Sequence, residues 1–328
     1  MSRIDIKKMP KVELHCHLDG SMSLPLVQRL SGNLAMTKDD LQVQDNCQSL
    51  AEYLEKFAIP CQCIQTQEGL QAAGYELLKD VAKENVRYIE VRYAPIFSTN
   101  EGLSLRETME SVIAGLKKGY KDFGVHANII VCAMRHISVE ENIKMLKVAR
   151  ELLGEGVCAL DLAGDEAAFP TSNFVELFNQ ANKLGMPFTI HSGETGSVDN
   201  ICKALELGAK RIGHGIALRQ DAELMREYVR QGIGVEMCPT SNLQTKAIDR
   251  WENYPLIHFL ENGVKVSVNT DNRTVSNTTL TKEFEMVYKA SDYNDEIIRT
   301  LQANAISTSF ASDDIKQFLL DETEKAQG

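Results

Sequence analysis

The 328-residue chain is predicted to be an α/β protein folded as a (β/α)8 TIM barrel, on three observations. Short β-rich apolar runs recur eight times, the segments between them carry apolar residues at helical spacing, and glycines stand where those helices should stop. The runs are KVELHCH (11–17), VRYIEVRYA (86–94), HANIIVCAM (126–134), VCALDLAG (157–164), PFTIHSGE (187–194), RIGHG (211–215), IGVEMCP (233–239) and VKVSVNTD (264–271). Helical spacing is plain in NIKMLKVARELLGEG and NFVELFNQANKLG. Gly185, Gly208, Gly232 and Gly263 each follow such a stretch, where a left-handed cap belongs, and a run begins within a few residues. Strand, helix, strand repeated around a circle gives the barrel.

Two segments exceed the plain pattern. Between the first and second runs, about residues 22–85 hold apparent helices at SLPLVQRLSG, SLAEYLEKFAIPCQC and GLQAAGYELLKDVAKEN, an expected helical lid over the barrel mouth. After residue 279 come TLTKEFEMVYKAS, NDEIIRTLQANAISTSF and DDIKQFLLDETEK, extra C-terminal helices with acidic starts that can close the outer ring. No Pro/Gly/Ser linker or low-complexity tract divides the chain, so residues 1–328 are expected to form a single domain.

A composition of 43% hydrophobic and 25% charged residues excludes disordered and fibrous classes. The net charge of −11 repels phosphate backbones and anionic lipid, so a small molecule is the expected partner, not nucleic acid or membrane. Neither a signal peptide nor about 18 consecutive apolar residues is visible, and a cytoplasmic location is expected. The eight cysteines form no CxxC pair and read as free thiols; Cys61 and Cys63 read as packing residues.

In a barrel of this type the site is built at the C-terminal ends of the strands. The polar residues closing the runs are His15 and His17, Asp161, His191 and Glu194, His214, Glu236, and Asp271 with Asn272. On a strand, His15 and His17 share a face about 7 Å apart at Cα. An isolated HxH usually packs one ring and exposes the other; a third His and an Asp at other strand ends point instead to a shared metal. Three imidazoles and one carboxylate, His15, His17, His191 and Asp271, suit Zn2+ with a position left for water, and Fe2+, Mn2+ or Co2+ tolerate the same set. Cys16 is expected to point away. Glu194 lies three residues beyond His191, across a glycine, where a water-poor pocket would let it serve as proton donor; His214 is placed to take a proton from the metal's water or to stabilise developing charge. Asp161, Glu236 and Ser241 read as groups that orient His or Arg, with plain structural bonding as the alternative. Arg135 and His136 follow the third run and are candidates to reach the site, whereas His126 and His258 read as structural.

HCHLDGS, DLAGDE, HSGE, RIGHG, CPTSN and NTDN, in that order, resemble the adenosine deaminase family within the metal-dependent amidohydrolase superfamily, and NTDNRTVSNTTLT is similar to its bacterial members. The resemblance spans His15 to about Asn277. It implies one zinc ion on His15, His17, His191 and Asp271, with Glu194 protonating purine N1 as water adds to C6, and His214 orienting and helping to deprotonate the zinc-bound water. It further implies that the Gly164 N–H donates to purine N3, that Asp19 holds a ribose hydroxyl, and that Leu54 and Phe57 form an apolar lid over the base. The implied activity is hydrolysis of adenosine, and of 2′-deoxyadenosine, to the inosine product and ammonia in purine salvage.

Asn272 stands where animal members carry a second Asp, at the position matched to purine N7. An amide NH2 donates at any pH, so the contact is expected to survive the change. The HxE and PCxxC pattern of the other zinc deaminase class is missing. Rival substrates are free adenine and aminodeoxyfutalosine; AMP fits poorly with an acidic chain lacking a phosphate clamp. A non-catalytic nucleoside-binding relative would be expected to have lost ligands or Glu194, and all are present.

Overall fold

Each predicted run becomes a strand in the computed structural model, which describes residues 3–326 apart from 45, 46 and 48. The strands are β1 (Lys11–His17), β2 (Val86–Tyr93), β3 (His126–Met134), β4 (Val157–Ala163), β5 (Thr189–Ser192), β6 (Arg211–His214), β7 (Gly234–Met237) and β8 (Lys265–Val268). β1 to β4 pair in sequence order as one parallel sheet and β5 to β8 as another. Single bridges, Leu160 with Phe188 and Cys16 with Asp271, join the sheet edges and close the barrel.

The segment after β1 forms α1 (Leu24–Ser31), α2 (Lys38–Leu41), α3 (Leu50–Leu54) and α4 (Ala58–Cys63). The stretch 49–63, expected as one helix, breaks at a 3-10 turn over Glu55–Phe57. Pro60 explains the restart: it has no N–H to give, so it sits in the first turn of α4, where donors lack helical partners anyway. α5 (Gln67–Ala82) departs from the expected lid. Its buried face, including Leu70, Ala73, Leu77 and Val81, packs along α6 (Leu105–Phe123) in the outer ring. The two backbones approach so closely that a Cβ on Gly115 would lie 2.2 Å from the Gln71 carbonyl oxygen. The elements additional to the ring on that side are therefore α1 to α4.

The ring continues with α7 (Val139–Glu151), α8 (Val175–Lys183), α9 (Val198–Leu207) and α10 (Ala222–Gln231), followed by the short α11 (Pro239–Gln244) and α12 (Leu256–Glu261). Side chains of Thr66, Ser104, Ser138, Ser197 and Asp221 accept from first-turn N–H groups at five of these starts. Gly208 and Gly232 stop α9 and α10 in the left-handed conformation. The tail forms α13 (Leu280–Ala290), α14 (Asp295–Thr308) and α15 (Asp313–Lys325), as expected. α14 packs on β1 and β8, and its last residue with the turn after it plugs the lower barrel: Thr308 O accepts from Arg211 Nη1 at 2.8 Å, and the Phe310 ring lies 4.0 Å from the Arg211 guanidinium.

The barrel interior is not a plain apolar filling. Alternation on the strands sends Glu13, Glu90, Arg92, Asp161, Arg211 and Glu236 inward, all fully buried. Among the described residues, no helix is long and apolar enough to cross a membrane.

Candidate active site

Closure of the barrel is what brings the first ligand candidates together. Past β8 the backbone turns left-handed at Asp271 (φ 60°), whose N–H donates to His15 O (2.8 Å) and whose carbonyl accepts from His17 N (2.7 Å). Its carboxylate is thereby set between the two β1 imidazoles, with Oδ1 3.4 Å from Nε2 of each. His191, at the top of β5, brings its Nε2 to 3.2 Å from His17 Nε2. One ligating atom from each of the four residues lies within 4.8 Å of all the others.

The arrangement fits a divalent cation. His15 gives its Nδ1–H to Glu236 Oε2 (2.8 Å), which leaves a lone pair on Nε2, and that buried atom has no hydrogen-bond partner. Nitrogen lone pairs and a carboxylate crowded at such distances repel one another unless a positive ion lies between them. Burial pushes His17 well below the ordinary imidazole range, keeping it unprotonated, and Asp271 is held well below the usual carboxylate range by its histidine neighbours, against the effect of burial.

Carboxylates behind the rings set their orientation. Asp161 Oδ2 lies 2.8 Å from His191 Nδ1, off the ideal hydrogen-bond line, and 3.0 Å from Arg92 Nη1. Arg92 Nη2 reaches Glu236 Oε2 at 2.8 Å, and Glu236 Oε1 accepts from Arg211 Nε at 2.6 Å. Burial opposes ionisation of both carboxylates, yet His191 and Arg92 hold Asp161, and Arg92 and Arg211 hold Glu236, far below the usual range. Ser241 donates to Asp271 Oδ2 at 2.6 Å. Asp161, Glu236 and Ser241 thus stand directly behind the ligand candidates, in contacts that fix ring and carboxylate directions.

Glu194 and His214 face each other across the same space, with His214 Nε2 3.6 Å from Glu194 Oε2. Thr245 Oγ1 donates to Glu194 Oε1 at 3.0 Å. The loop that presents Glu194 is clamped by a residue the sequence reading passed over: Glu166 accepts from Gly193 N (2.9 Å) and Thr195 N (2.6 Å), the N–H groups on either side. His214 adopts φ 64°, unusual for a residue with a side chain, and the strain is held by the packing around it.

The family model described as adenosine deaminase matches residues 10–326. A curated adenosine deaminase of Clostridium botulinum is 42% identical, covering 96% of this chain and 97% of that protein. The chain belongs to the adenosine deaminase family. Its architecture is shared with solved deaminases of lower identity: the adenine deaminase of Arthrobacter aurescens (TM-score 0.87, 27% identity, 97% and 98% of the two chains) and an arabidopsis N6-mAMP deaminase (TM-score 0.86, 27%, 98% and 99%).

In this adenosine deaminase family member, the candidate substrate groups line one cavity of about 270 Å3 together with His17, His191, Glu194, His214 and Asp271. Asp19 lies at one side, accepting from Gly20 N at 3.0 Å and lying 3.6 Å from Cys61 Sγ; burial raises its pKa to about 6. Gly164 follows β4 with φ 105°, a conformation that leaves room for no side chain without strain. Asn272 packs against Gly20, where a Cβ would fall 1.8 Å from its Oδ1, and that oxygen is buried without a partner. Leu54 and Phe57 line the cavity, joined by Leu50 and Tyr53 of α3. His136 reaches the cavity, stacked on Phe97; Arg135 does not, being turned to donate to the carbonyls of His191 (2.7 Å) and Phe169 (2.6 Å). Cys16 points away to Ser21. Cys61 packs as a free thiol but also lines the cavity, which its spacing from Cys63 did not suggest. His126 packs between Tyr120 and Phe318, away from the site.

Proposed function

We propose that the protein catalyses hydrolytic deamination of adenosine, and of 2′-deoxyadenosine, to the inosine product and ammonia, as a cytoplasmic enzyme of purine salvage with one zinc ion on His15, His17, His191 and Asp271. The observation that carries this is the convergence of those four side chains on one point, at the edge of a cavity that His17, His191 and Asp271 line together with Glu194 and His214. The nitrogen-rich donor set suits zinc, which when bound supplies the Lewis acidity that brings the pKa of water towards about 7.

The chain's own groups do the rest. With Oε1 engaged by Thr245, Glu194 has Oε2 free to carry a proton to purine N1, making C6 electrophilic as oxygen adds and ammonia leaves. His214, opposite Glu194, steadies the incoming oxygen. The Gly164 N–H is offered to N3 and the Asn272 amide to N7, while Asp19, ionised at neutral pH, takes a ribose hydroxyl. Leu54 and Phe57 cover the base and exclude water.

A nucleotide substrate is disfavoured. Among the described residues lining the cavity there is no Lys or Arg, and Asp19 and Asp165 would both repel a 5′-phosphate. Free adenine would bring no ribose hydroxyl to Asp19, leaving it only Gly20 N and the Cys61 thiol. Neutral nucleosides are therefore the expected class.

The test is a substrate panel of adenosine, 2′-deoxyadenosine, adenine, AMP and aminodeoxyfutalosine, followed by ultraviolet absorbance, with metal content measured on the same sample. Adenosine is expected to exceed AMP and adenine in kcat/KM by about 100-fold or more, the scale of discrimination when buried polar groups go unpaired. Glu194→Gln should keep its metal and lose roughly 10²- to 10⁴-fold in kcat. A preference for AMP or adenine overturns the assignment.

A further inference from the structure

Only one ring nitrogen of His214 faces the cavity. The other, Nδ1, lies 2.9 Å from Nδ2 of Asn242, a fully buried residue of α11. Which end of the Asn242 amide meets the ring is decided on its far side. There the Tyr254 hydroxyl lies 3.0 Å from Asn242 Oδ1. That hydroxyl is buried, and its proton has Asn242 Oδ1 to go to. With Oδ1 occupied as acceptor, the NH2 group is turned to His214. An NH2 group only donates, so Nδ1 must accept, and the neutral ring then carries its single proton on Nε2.

We propose that Asn242 is a positioning residue that fixes His214 as its Nε2–H tautomer, so that His214 meets the oxygen adding to C6 as a hydrogen-bond donor and not as a proton acceptor. The proposal rests on the deaminase reading above and changes one part of it, since the resemblance implied a group that helps to deprotonate water. In this tautomer the only free lone pair of the ring is on Nδ1, and Asn242 holds it. What remains is a preset N–H aimed at the place where negative charge develops, a role that needs no reorganisation during the reaction.

The arrangement is part of a larger one. Three side chains from α11 and its C-cap each contact a different residue of the site: Ser241 with Asp271, Asn242 with His214, and Thr245 with Glu194. Ser241 and Thr245 orient carboxylates, which lack tautomers. Asn242 alone among them meets a ring nitrogen, where the contact sets a tautomer.

The experiment uses zinc-loaded protein labelled with 15N-histidine. Long-range 1H–15N spectra read the proton position of His214, assigned by its disappearance in His214→Gln. The expected pattern is Nε2–H with Nδ1 as acceptor in the unsubstituted protein. Asn242→Asp presents acceptor oxygens only; it should invert the pattern to Nδ1–H and lower kcat on the order of 10²- to 10⁴-fold, the scale of a wrong histidine tautomer in other enzymes. KM and bound zinc should change less than about twofold. Asn242→Ser, whose hydroxyl donates or accepts, no longer forces one tautomer: it should show a mixed pattern with kcat between those of the unsubstituted protein and the Asp variant, and it covers the case in which the Asp variant does not fold. An Nδ1–H pattern in the unsubstituted protein, or an inverted tautomer with kcat unchanged, overturns the proposal. Failure of the deaminase reading shows separately, as no adenosine turnover by the unsubstituted protein, while the spectra still report the tautomer.

Discussion

At the scale of single residues, the site is an exercise in limiting freedom. Glu194 sits in a short loop between β5 and α9, with Gly193 (φ 77°) before it and nothing regular to hold it. Glu166 supplies the hold, bridging the N–H groups of Gly193 and Thr195 and also reaching the Asn200 amide at 3.2 Å. Glu166 is 3% exposed and Gly193 is buried, so the Gly193 N–H has no water to turn to if it is removed. Glu166→Ala is therefore expected to cost about 2–3 kcal/mol in stability and, by loosening the acid, to lower kcat by roughly 10²-fold with a smaller effect on bound metal. Urea unfolding and steady-state kinetics on the same preparation check both; unchanged kcat in a destabilised variant would show the clamp to be structural only. The sequence displayed Glu166 inside DLAGDE yet gave no sign of its role, because loop partners 27 and 29 positions away leave no periodic trace. His15, His17, His191 and Asp271 were legible for the opposite reason: they end apolar runs, and the topology of a barrel gathers strand ends into one place.

Elements show the same division. All eight strands were readable, since apolar runs bounded by turns carry their own signal, whereas α11 was not. It begins directly after β7 with Pro239 at its first position and is six residues long, too short for helical periodicity to register. Yet α11 carries Ser241 and Asn242, so its anchoring matters to the whole site. Its anchor is Glu283 of α13, which accepts from Thr240 N at 3.1 Å and from the Thr278 hydroxyl. Burial raises the Glu283 pKa from 4.5 to about 7. A carboxyl that binds its proton more tightly in the folded state contributes stability that is fully present below about pH 4.5 and lost as pH rises through about 7. Glu283→Gln keeps an acceptor for Thr240 N but has no proton to lose. The stability of the variant relative to the unsubstituted protein should therefore rise by up to about 3 kcal/mol between pH 4.5 and pH 7.5, the equivalent of the cited shift. Denaturant midpoints across that range, at equal metal saturation, measure it; a difference independent of pH would count against a shifted Glu283.

For the molecule as a whole, the decisive feature is the ionic chain through the barrel. From His191 it runs to Asp161, Arg92, Glu236 and His15, and a branch continues from Glu236 through Arg211 to Glu90 near the plug formed by Phe310. Six strands and the C-terminal tail contribute to it. Its charges were visible in VRYIEVRYA, where Glu90 and Arg92 alternate with apolar residues, but a period-two pattern does not say whether the charged face points to a barrel interior or to water. Three-dimensional closure decides that, and here it places the charges inside. Buried ion pairs seldom add net stability over an apolar filling, because desolvation consumes most of the attraction. This one has another effect: Arg92 keeps Asp161 and Glu236 ionised, and those two carboxylates keep His191 and His15 turned with their Nε2 atoms towards Asp271 and His17. Replacing Arg92 with Met removes the shared cation, leaves buried Asp161 without a guanidinium partner and Glu236 with Arg211 alone, and also strips the Leu14 carbonyl of its 2.6 Å donor. The expected result is a loss of about 3–5 kcal/mol in unfolding free energy, as for breaking a buried pair on one side. Metal affinity should fall by roughly 10- to 100-fold, since both ring supports are weakened together. Competition for zinc against a chelator, read beside urea unfolding, tests the coupling: a variant that loses stability but binds zinc as tightly as before would show that Arg92 serves the barrel alone, and that the rings are held by the carboxylates without it.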